Sequence, residues 1–207
     1  MTSTRGVPTG PAASRPLVVG LGSPDRGDDA VGVVVARAVA TRHLPDVDVV
    51  AHEDPTDLVE LWSGRELVVV VDAVRSGAEP GTLVVIETGA GGERLPESAW
   101  GRTGRGGTHA FGLAAAVELA RALHRLPGRV VLVGVEAASF DHGAPLSPAV
   151  GAAVHTALDA VLRVVVRGTA GLGTVGHGQH DEHDKHDEHD NGPTPRRSRE
   201  GAAGVPG

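Results

Sequence analysis

Two carboxylates and one imidazole have the side-chain types and spacing that best suit metal-binding or hydrolytic chemistry. Asp29 follows the first apolar run after a glycine-rich segment, Asp72 comes directly after the most apolar run, and His109 begins a later helical segment. In open α/β sheets, ligands bind outside the carboxyl ends of the strands. We therefore expect these three side chains to meet at one edge of a single sheet.

Two carboxylates and an imidazole form a mixed oxygen and nitrogen set that suits a borderline divalent metal such as zinc or nickel. Three protein ligands leave coordination positions open for water, or for a metal that arrives with its substrate. Each feature alone is more often structural, because an acid at a helix start commonly just opposes the helix dipole. Their coincidence on one side of the sheet favours a functional site.

Alternating strands and helices must position these residues. Val-rich runs predict strands at residues 17–21, 47–52, 66–71, 82–87 and 129–136. Apolar periodicity predicts helices at 29–42, 109–124 and from Ser147 or Pro148 to 167, and a short one ending near Trp62. Alternation of this kind is typical of a three-layer α/β/α domain with a largely parallel sheet. The turn at 78–81 is too short for a crossover helix, so we expect the strands on either side of it to be antiparallel neighbours.

The glycine-rich segment from Gly20 to Gly32 does not fit a dinucleotide-binding loop. That fingerprint needs three closely spaced glycines opening directly into a helix that receives phosphate. Here the third glycine comes late, and Asp28 and Asp29 occupy the helix start, where they would repel phosphate. The sequence therefore disfavours nucleotide binding.

Net charge argues against nucleic-acid and membrane partners. Residues 177–191 contain six acids and one lysine, so they carry −5 of the formal charge of −7 and leave −2 for the remainder. A nearly neutral domain offers no basic surface for nucleic acid and no basic amphipathic helix for a membrane. No apolar run of 18 residues is free of charges, so we expect no membrane span. The absence of cysteine fits a cytoplasmic protein, and we expect a monomer.

Composition divides the chain into three parts. Residues 1–15 are rich in Pro, Gly, Ser and Thr, and we interpret them as a disordered lead-in. Residues 16–168 form the predicted α/β domain, and residues 169–207 a disordered tail rich in His and Asp. Tail histidines recur every third residue, at His177, His180, His183, His186 and His189. The tail is either a solvated charged segment or a nickel reservoir, since such tracts bind transition metals.

The motifs of this chain resemble those of a known family, the hydrogenase maturation proteases. These endopeptidases trim the C-terminal extension of the large subunit of [NiFe] hydrogenases. The resemblance covers roughly residues 17–165. It rests on the motifs Gly20-Leu21-Gly22 through Gly32, Val70-Val71-Asp72-Ala73, Thr108-His109 with Gly112-Leu113, Val133-Gly134-Val135-Glu136, and Leu146-Ser147-Pro148.

The resemblance implies a five-stranded, mostly parallel mixed sheet with one antiparallel strand. It also implies that the metal-binding residues of the family fall on Asp29, Asp72 and His109. Such a site senses nickel already inserted in the large-subunit precursor, so that cleavage follows correct metal loading. The site can then be empty of metal in the resting protein.

Three departures from the family pattern are visible. Ser23 stands where many members have Asn, and Asp29 stands where some have Glu, which shortens the reach by one methylene. Residues 52–56 replace a glycine-rich stretch, and we expect that change to influence which precursor is accepted. None of these departures removes a proposed site residue.

Two mechanisms and two other functions stay open at this stage. A site metal, either nickel or another divalent ion such as zinc, could act as a Lewis acid, or Asp29 or Asp72 could activate water in an aspartic-type reaction. Neighbouring carboxylates raise one another's pKa, which suits a general base. The other functions are a nickel-binding accessory or storage protein without peptidase activity, and an unrelated metallohydrolase or peptidase on the same scaffold. The intact set of three residues favours the protease.

Overall fold

The computed structural model describes residues 14–92 and 108–172, and for residues 108–111 and 169–172 the backbone alone. The His-rich tail, most of the lead-in and most of the loop before the third predicted helix lie outside the described residues. The strands are β1 Leu17–Leu21, β2 Asp48–His52, β3 Leu67–Val74, β4 Leu83–Thr88 and β5 Arg129–Glu136. The helices are α1 Val31–Ala40, α2 Leu58–Leu61, α3 Thr108–Ala122 and α4 Pro148–Leu172, with 3-10 turns at Gly27–Ala30 and Pro55–Asp57.

The five strands form one mixed sheet in the order β2-β1-β3-β5-β4. All neighbours are parallel except β4, which pairs antiparallel with β5. The predicted fold class is confirmed, but the expectation that β3 and β4 are neighbours is wrong, because β5 lies between them. Burial explains this order. Seven of the eight residues of β5 are buried, whereas β4 exposes 53% of Val85, so β5 suits the interior of the sheet and β4 its edge.

Helices cover both faces of the sheet. On β3, Val69 and Val71 pack in the cluster that α1 and α4 close, whereas Val68 and Val70 pack in the cluster that α2 and α3 close. This alternation follows the two-residue repeat of a strand. Burial of every β3 residue explains why its sequence is a continuous apolar run rather than an alternating one.

Helix α4 is long and apolar enough, by length and composition, to cross a membrane. In this fold its apolar residues have another role, since Val150, Ala157 and Val161 are buried in the cluster shared with α1. The helix also continues to Leu172, past the predicted end near residue 167. Ser14 and Arg15, just before β1, also contact the domain. The Ser14 hydroxyl accepts a hydrogen bond from the Glu66 amide at 2.8 Å, and the Arg15 carbonyl accepts one from the Arg65 guanidinium.

Candidate active site

The sheet order places a crevice between the carboxyl ends of β1 and β3. The chain passes from β1 to β2 on one side and then returns to β3 on the other, which is the arrangement that opens ligand sites in α/β sheets. Helix α1 begins directly over this crevice. A Cβ atom added to Gly32 would lie within 3.0 Å of the carbonyl oxygens of Leu21 and Val71, so only glycine lets the helix backbone sit on both strands.

Asp29 lies in the 3-10 turn that leads into α1, rather than in the first turn of the α-helix itself. Its side chain is 2% exposed, and its Oδ2 accepts a hydrogen bond from the Ser23 amide at 3.0 Å. The backbone of Gly22 has a φ of +121°, and a Cβ there would overlap the Asp29 carbonyl oxygen. The Gly22-Ser23 backbone therefore passes close to Asp29 and orients its carboxylate.

Asp72 lies inside β3, which continues to Val74, so the expectation that the strand ends before Asp72 is wrong. Pairing with β5 continues through Asp72, but pairing with β1 stops at Val71. Asp72 is thus the first residue of β3 beyond its pairing with β1, level with the last residue of β1, and it is fully buried. Its Oδ1 accepts a hydrogen bond from the Ala73 amide at 2.8 Å.

The strand repeat puts Asp72 on the face of the sheet that α2 and α3 cover, since Val70 and Val74 pack there. Its partner in β5 is Gly134, so β5 contributes no side chain beside the carboxylate. The 3-10 turn that carries Asp29 also contacts β3. The turn of Asp29 and the Asp72 position therefore both lie near the carboxyl ends of β1 and β3, and the meeting of the two carboxylates stays a prediction.

His109 is the second residue of α3, so it lies at the N-terminal start of that helix, as predicted. Leu113 and Val117 anchor α3 on the Asp72 face, and a Cβ at Gly112 would overlap the ring of Pro55. The imidazole itself lies outside the described residues, so its meeting with Asp29 and Asp72 stays a prediction. Among the side chains that are described, no group of three or more His, Cys, Asp and Glu could hold a metal ion.

Asp28 and Asp29 look alike in the sequence but have different surroundings. The carboxylate of Asp28 is 1% exposed and accepts backbone hydrogen bonds from residues between β5 and α4. The sequence indicates a site role for Asp29 and leaves Asp28 as a partner of the helix dipole, so the contact of Asp28 with these residues was missed. The adjacent Asp-Asp pair was the one available signal, and it does not reveal a contact with so distant a segment.

An open groove of about 410 Å³ lies next to the turn of Asp29. One wall comes from α1 and the other from the end of β2 and the segment after it. Its lining mixes apolar and charged side chains: Gly22, Pro24, Val33, Arg37, Ala51, His52, Glu53 and Asp54. Asp54 also accepts from the amide and the hydroxyl of Thr56, at 2.8 and 2.7 Å, and so caps the short 3-10 turn.

Comparison with known proteins identifies the family. The family model described as HycI, hydrogenase maturation protease, matches residues 36–164. The hydrogenase 2 maturation protease of Escherichia coli (strain K12) is 30% identical over 154 residues, which cover 72% of this chain and 88% of that protein. The hydrogenase expression/formation protein HupD of Rhizobium leguminosarum bv. viciae is 26% identical over 159 residues, covering 75% and 76%.

Solved structures show the same relationship. The hydrogenase maturating endopeptidase HybD from E. coli superposes with a TM-score of 0.62 at 25% identity, covering 74% of this chain and 93% of that one. The [NiFe] hydrogenase maturation protease HybD from Thermococcus kodakarensis gives 0.54 at 25% identity, covering 73% and 99%. The resemblance inferred from the sequence motifs is therefore confirmed, and the chain belongs to the hydrogenase maturation protease family of peptide-bond hydrolases.

Proposed function

We propose that this protein removes the C-terminal extension of the large-subunit precursor of an [NiFe] hydrogenase after nickel has been inserted. Family membership supports the proposal, since hydrogenase maturation proteases act on hydrogenase large-subunit precursors. The observation that carries it is the pair of buried carboxylates, Asp29 and Asp72, at the crevice between β1 and β3. Their amide contacts with Ser23 and Ala73 hold both side chains in defined orientations.

In this proposal, nickel enters the crevice as part of the substrate. Asp29, Asp72 and His109 offer two oxygen donors and one nitrogen donor, a set that suits nickel or another divalent ion such as zinc. A bound metal would supply Lewis-acid polarisation of the scissile carbonyl. Recognition of a metal that only a loaded precursor carries makes cleavage depend on the preceding insertion step.

The protein's own carboxylates provide for the proton transfers of hydrolysis. Asp29 or Asp72 takes a proton from water as the water oxygen attacks the scissile carbonyl carbon. The same proton then passes to the leaving amine as the C–N bond breaks, so the carboxylate returns to its starting state. Burial of both groups excludes bulk water from this exchange and strengthens their electrostatic effect.

The groove beside Asp29 is a suitable place for the precursor chain next to the cleaved bond. Its apolar lining residues and the charged residues Arg37, Glu53 and Asp54 can select for both the size and the charge of a substrate side chain. Because residues 52–56 replace a glycine-rich stretch in the family pattern, we propose that this segment helps to determine which precursor is accepted.

Processing of matched precursors tests the function. The purified protein is incubated with one large-subunit precursor prepared in nickel-loaded and nickel-free forms, and the mass of the large subunit is followed. We expect loss of the C-terminal extension from the loaded form alone, and an Asp29→Asn variant serves as the control for contaminating proteases. Equal cleavage of both forms would contradict nickel recognition, and cleavage of neither would contradict the function.

The second candidate function, a nickel-binding accessory or storage protein without peptidase activity, is less well supported. The family match and the two intact carboxylates favour the protease. The histidine-rich tail is compatible with either function, and we propose that it buffers nickel near the site of maturation. A cytoplasmic, monomeric protein is part of the same proposal.

A further inference from the structure

The turn that carries Asp29 is joined to the loop between β5 and α4, residues 138–147. The connection centres on Asp28, whose carboxylate is almost fully buried. Its Oδ2 accepts from the amides of Ala138 and Ser139 at 2.8 and 3.1 Å. Its Oδ1 accepts from the amide of Ser147 at 2.6 Å. One side chain thus holds both ends of the loop.

Backbone hydrogen bonds extend the same connection. The Asp28 amide donates to the Ser139 carbonyl at 3.0 Å, and the Gly27 amide donates to the Ala144 carbonyl at 3.1 Å. In the opposite direction, the Gly143 amide donates to the Asp25 carbonyl at 2.7 Å. The segment just before Asp29 is therefore fixed to the loop at several points.

The same loop is also attached to the strand that carries Asp72. The Arg75 guanidinium donates to the Ala138 carbonyl at 3.3 Å and lies 4.9 Å from the centre of the Phe140 ring. The Ala137 amide donates to the Val74 carbonyl at 2.9 Å. Residues 138–147 consequently contact the structural supports of both site carboxylates.

We infer that Asp28 is a positioning residue for the peptidase reaction: it holds Asp29 in place relative to Asp72 through the 138–147 loop. The inference rests on the proposed function of Asp29 and Asp72. Both carboxylate oxygens of Asp28 accept hydrogen bonds from backbone amides. Asparagine has only one acceptor oxygen, so its NH2 group would face at least one of these amide donors. The turn then loosens one peptide unit away from Asp29, and small displacements of reacting groups can lower rates by about 10²-fold.

Glu136 provides a matched control within the same protein. It is 2% exposed and accepts hydrogen bonds from the Ser76 amide and hydroxyl, at 2.9 and 2.7 Å, and from the Gly77 amide at 2.9 Å. Like Asp28, it is a buried carboxylate that anchors a loop with three hydrogen bonds. Unlike Asp28, it lies outside the turn that carries Asp29, and its three hydrogen bonds come from Ser76 and Gly77. Comparison of the two separates positioning from general stability.

The experiment compares Asp28→Asn and Glu136→Gln in the full-length protein. Measurements are kcat and KM for precursor cleavage, the free energy of unfolding, and hydrogen exchange at the Ser23 amide, which reports on the Asp29 contact. We expect both variants to lose similar stability. Only Asp28→Asn should show a kcat lower by about 10²-fold with KM nearly unchanged, together with faster exchange at Ser23.

Two results would overturn the inference: a kcat for Asp28→Asn equal to that of Glu136→Gln, or wild-type protection of the Ser23 amide in Asp28→Asn. If the wild-type protein itself cleaves no precursor, the proposed function fails and the Ser23 amide alone decides the positioning role. If Asp28→Asn does not fold, Arg75→Met loosens the same loop while keeping every buried carboxylate. Faster Ser23 exchange in that variant supports the inference, and unchanged exchange refutes it.

Discussion

Replacing Gly32 by alanine tests whether backbone contact between α1 and the strands builds the crevice. Gly32 is the second residue of α1, and an added Cβ would lie within 3.0 Å of the carbonyl oxygens of Leu21 and Val71. Both oxygens belong to the backbone of central strands, so neither can rotate away as a flexible side chain would. Helix α1 must therefore move off the sheet to accommodate a methyl group.

The expected change in the free energy of unfolding of Gly32→Ala combines two opposing contributions. Overpacking a rigid site costs about 1–3 kcal/mol. Because the added methyl group would clash with two backbone oxygens, we expect the cost of Gly32→Ala to lie near the upper end of that range. Alanine regains about 1 kcal/mol of helix propensity, which leaves a net loss of about 2 kcal/mol. Gly151 in α4 is the matched control, because nothing lies within 4 Å of an added Cβ there. Gly151→Ala should therefore stabilise the protein by up to about 1 kcal/mol.

Urea unfolding followed by fluorescence of the buried Trp62 measures both changes. With a typical dependence of about 1–3 kcal/mol per molar urea, Gly32→Ala should lower the midpoint by about 1 M, and Gly151→Ala should raise it. Precursor cleavage should fall in Gly32→Ala alone, because the displaced helix start carries Asp29 with it. A Gly32→Ala protein that unfolds at the wild-type urea concentration, or above it, would refute the close backbone packing of α1 on β1 and β3.

Three further predictions concern the site, the sheet edge and the tail. Asp72→Asn and His109→Ala should each lower precursor cleavage by at least about 10²-fold without altering the far-ultraviolet circular dichroism spectrum, and full processing by both would contradict the site assignment. The Arg129 guanidinium lowers the pKa of Glu87 through two hydrogen bonds, at 2.8 and 3.0 Å. This ion pair therefore stabilises the protein above the ordinary carboxyl pKa of about 4.3, and the effect disappears as pH falls through the lowered value. Because both side chains are more than one-third exposed, Glu87→Gln should cost about 0.2–1 kcal/mol at pH 7, and a cost that is unchanged at pH 3 would contradict the pairing. Replacing the five tail histidines by glutamine should lower the number of nickel ions bound in calorimetry, and an unchanged stoichiometry would exclude a nickel reservoir in the tail.

The sequence predicted the strands and the layers because their signals are local. Continuous Val-rich runs at β3 and β5 indicate strands that are buried on both faces. The predicted bounds of β5 match the observed strand, whereas β3 continues three residues past its predicted end. Strand order is not a local property. The short connection between β3 and β4 suggested a hairpin, but β5, which is far away in sequence, pairs with both strands. Relative burial of the two strands, with Val85 exposed on β4, is the better guide to which one takes the edge.

The candidate site shows the same division between local and long-range information. The sequence placed Asp29 and Asp72 near one crevice because each lies near the carboxyl end of a predicted parallel strand. It assigned Asp28 no role beyond the helix dipole, because the amides that bind its carboxylate belong to residues more than a hundred positions away. The continuation of β3 through Asp72 likewise depends on its pairing with β5.

The attachment of the two carboxylates to different elements, the turn into α1 and the strand β3, has a consequence for quality control during synthesis. Asp29 is supplied by the turn into α1, in the layer shared with α4, whereas Asp72 faces the layer of α2 and α3. A chain that has docked only one helical layer therefore presents one carboxylate without the other. Since the proposed chemistry needs both, an incompletely folded protease would be inert, and hydrogenase precursors would be protected from premature cutting by their own processing enzyme.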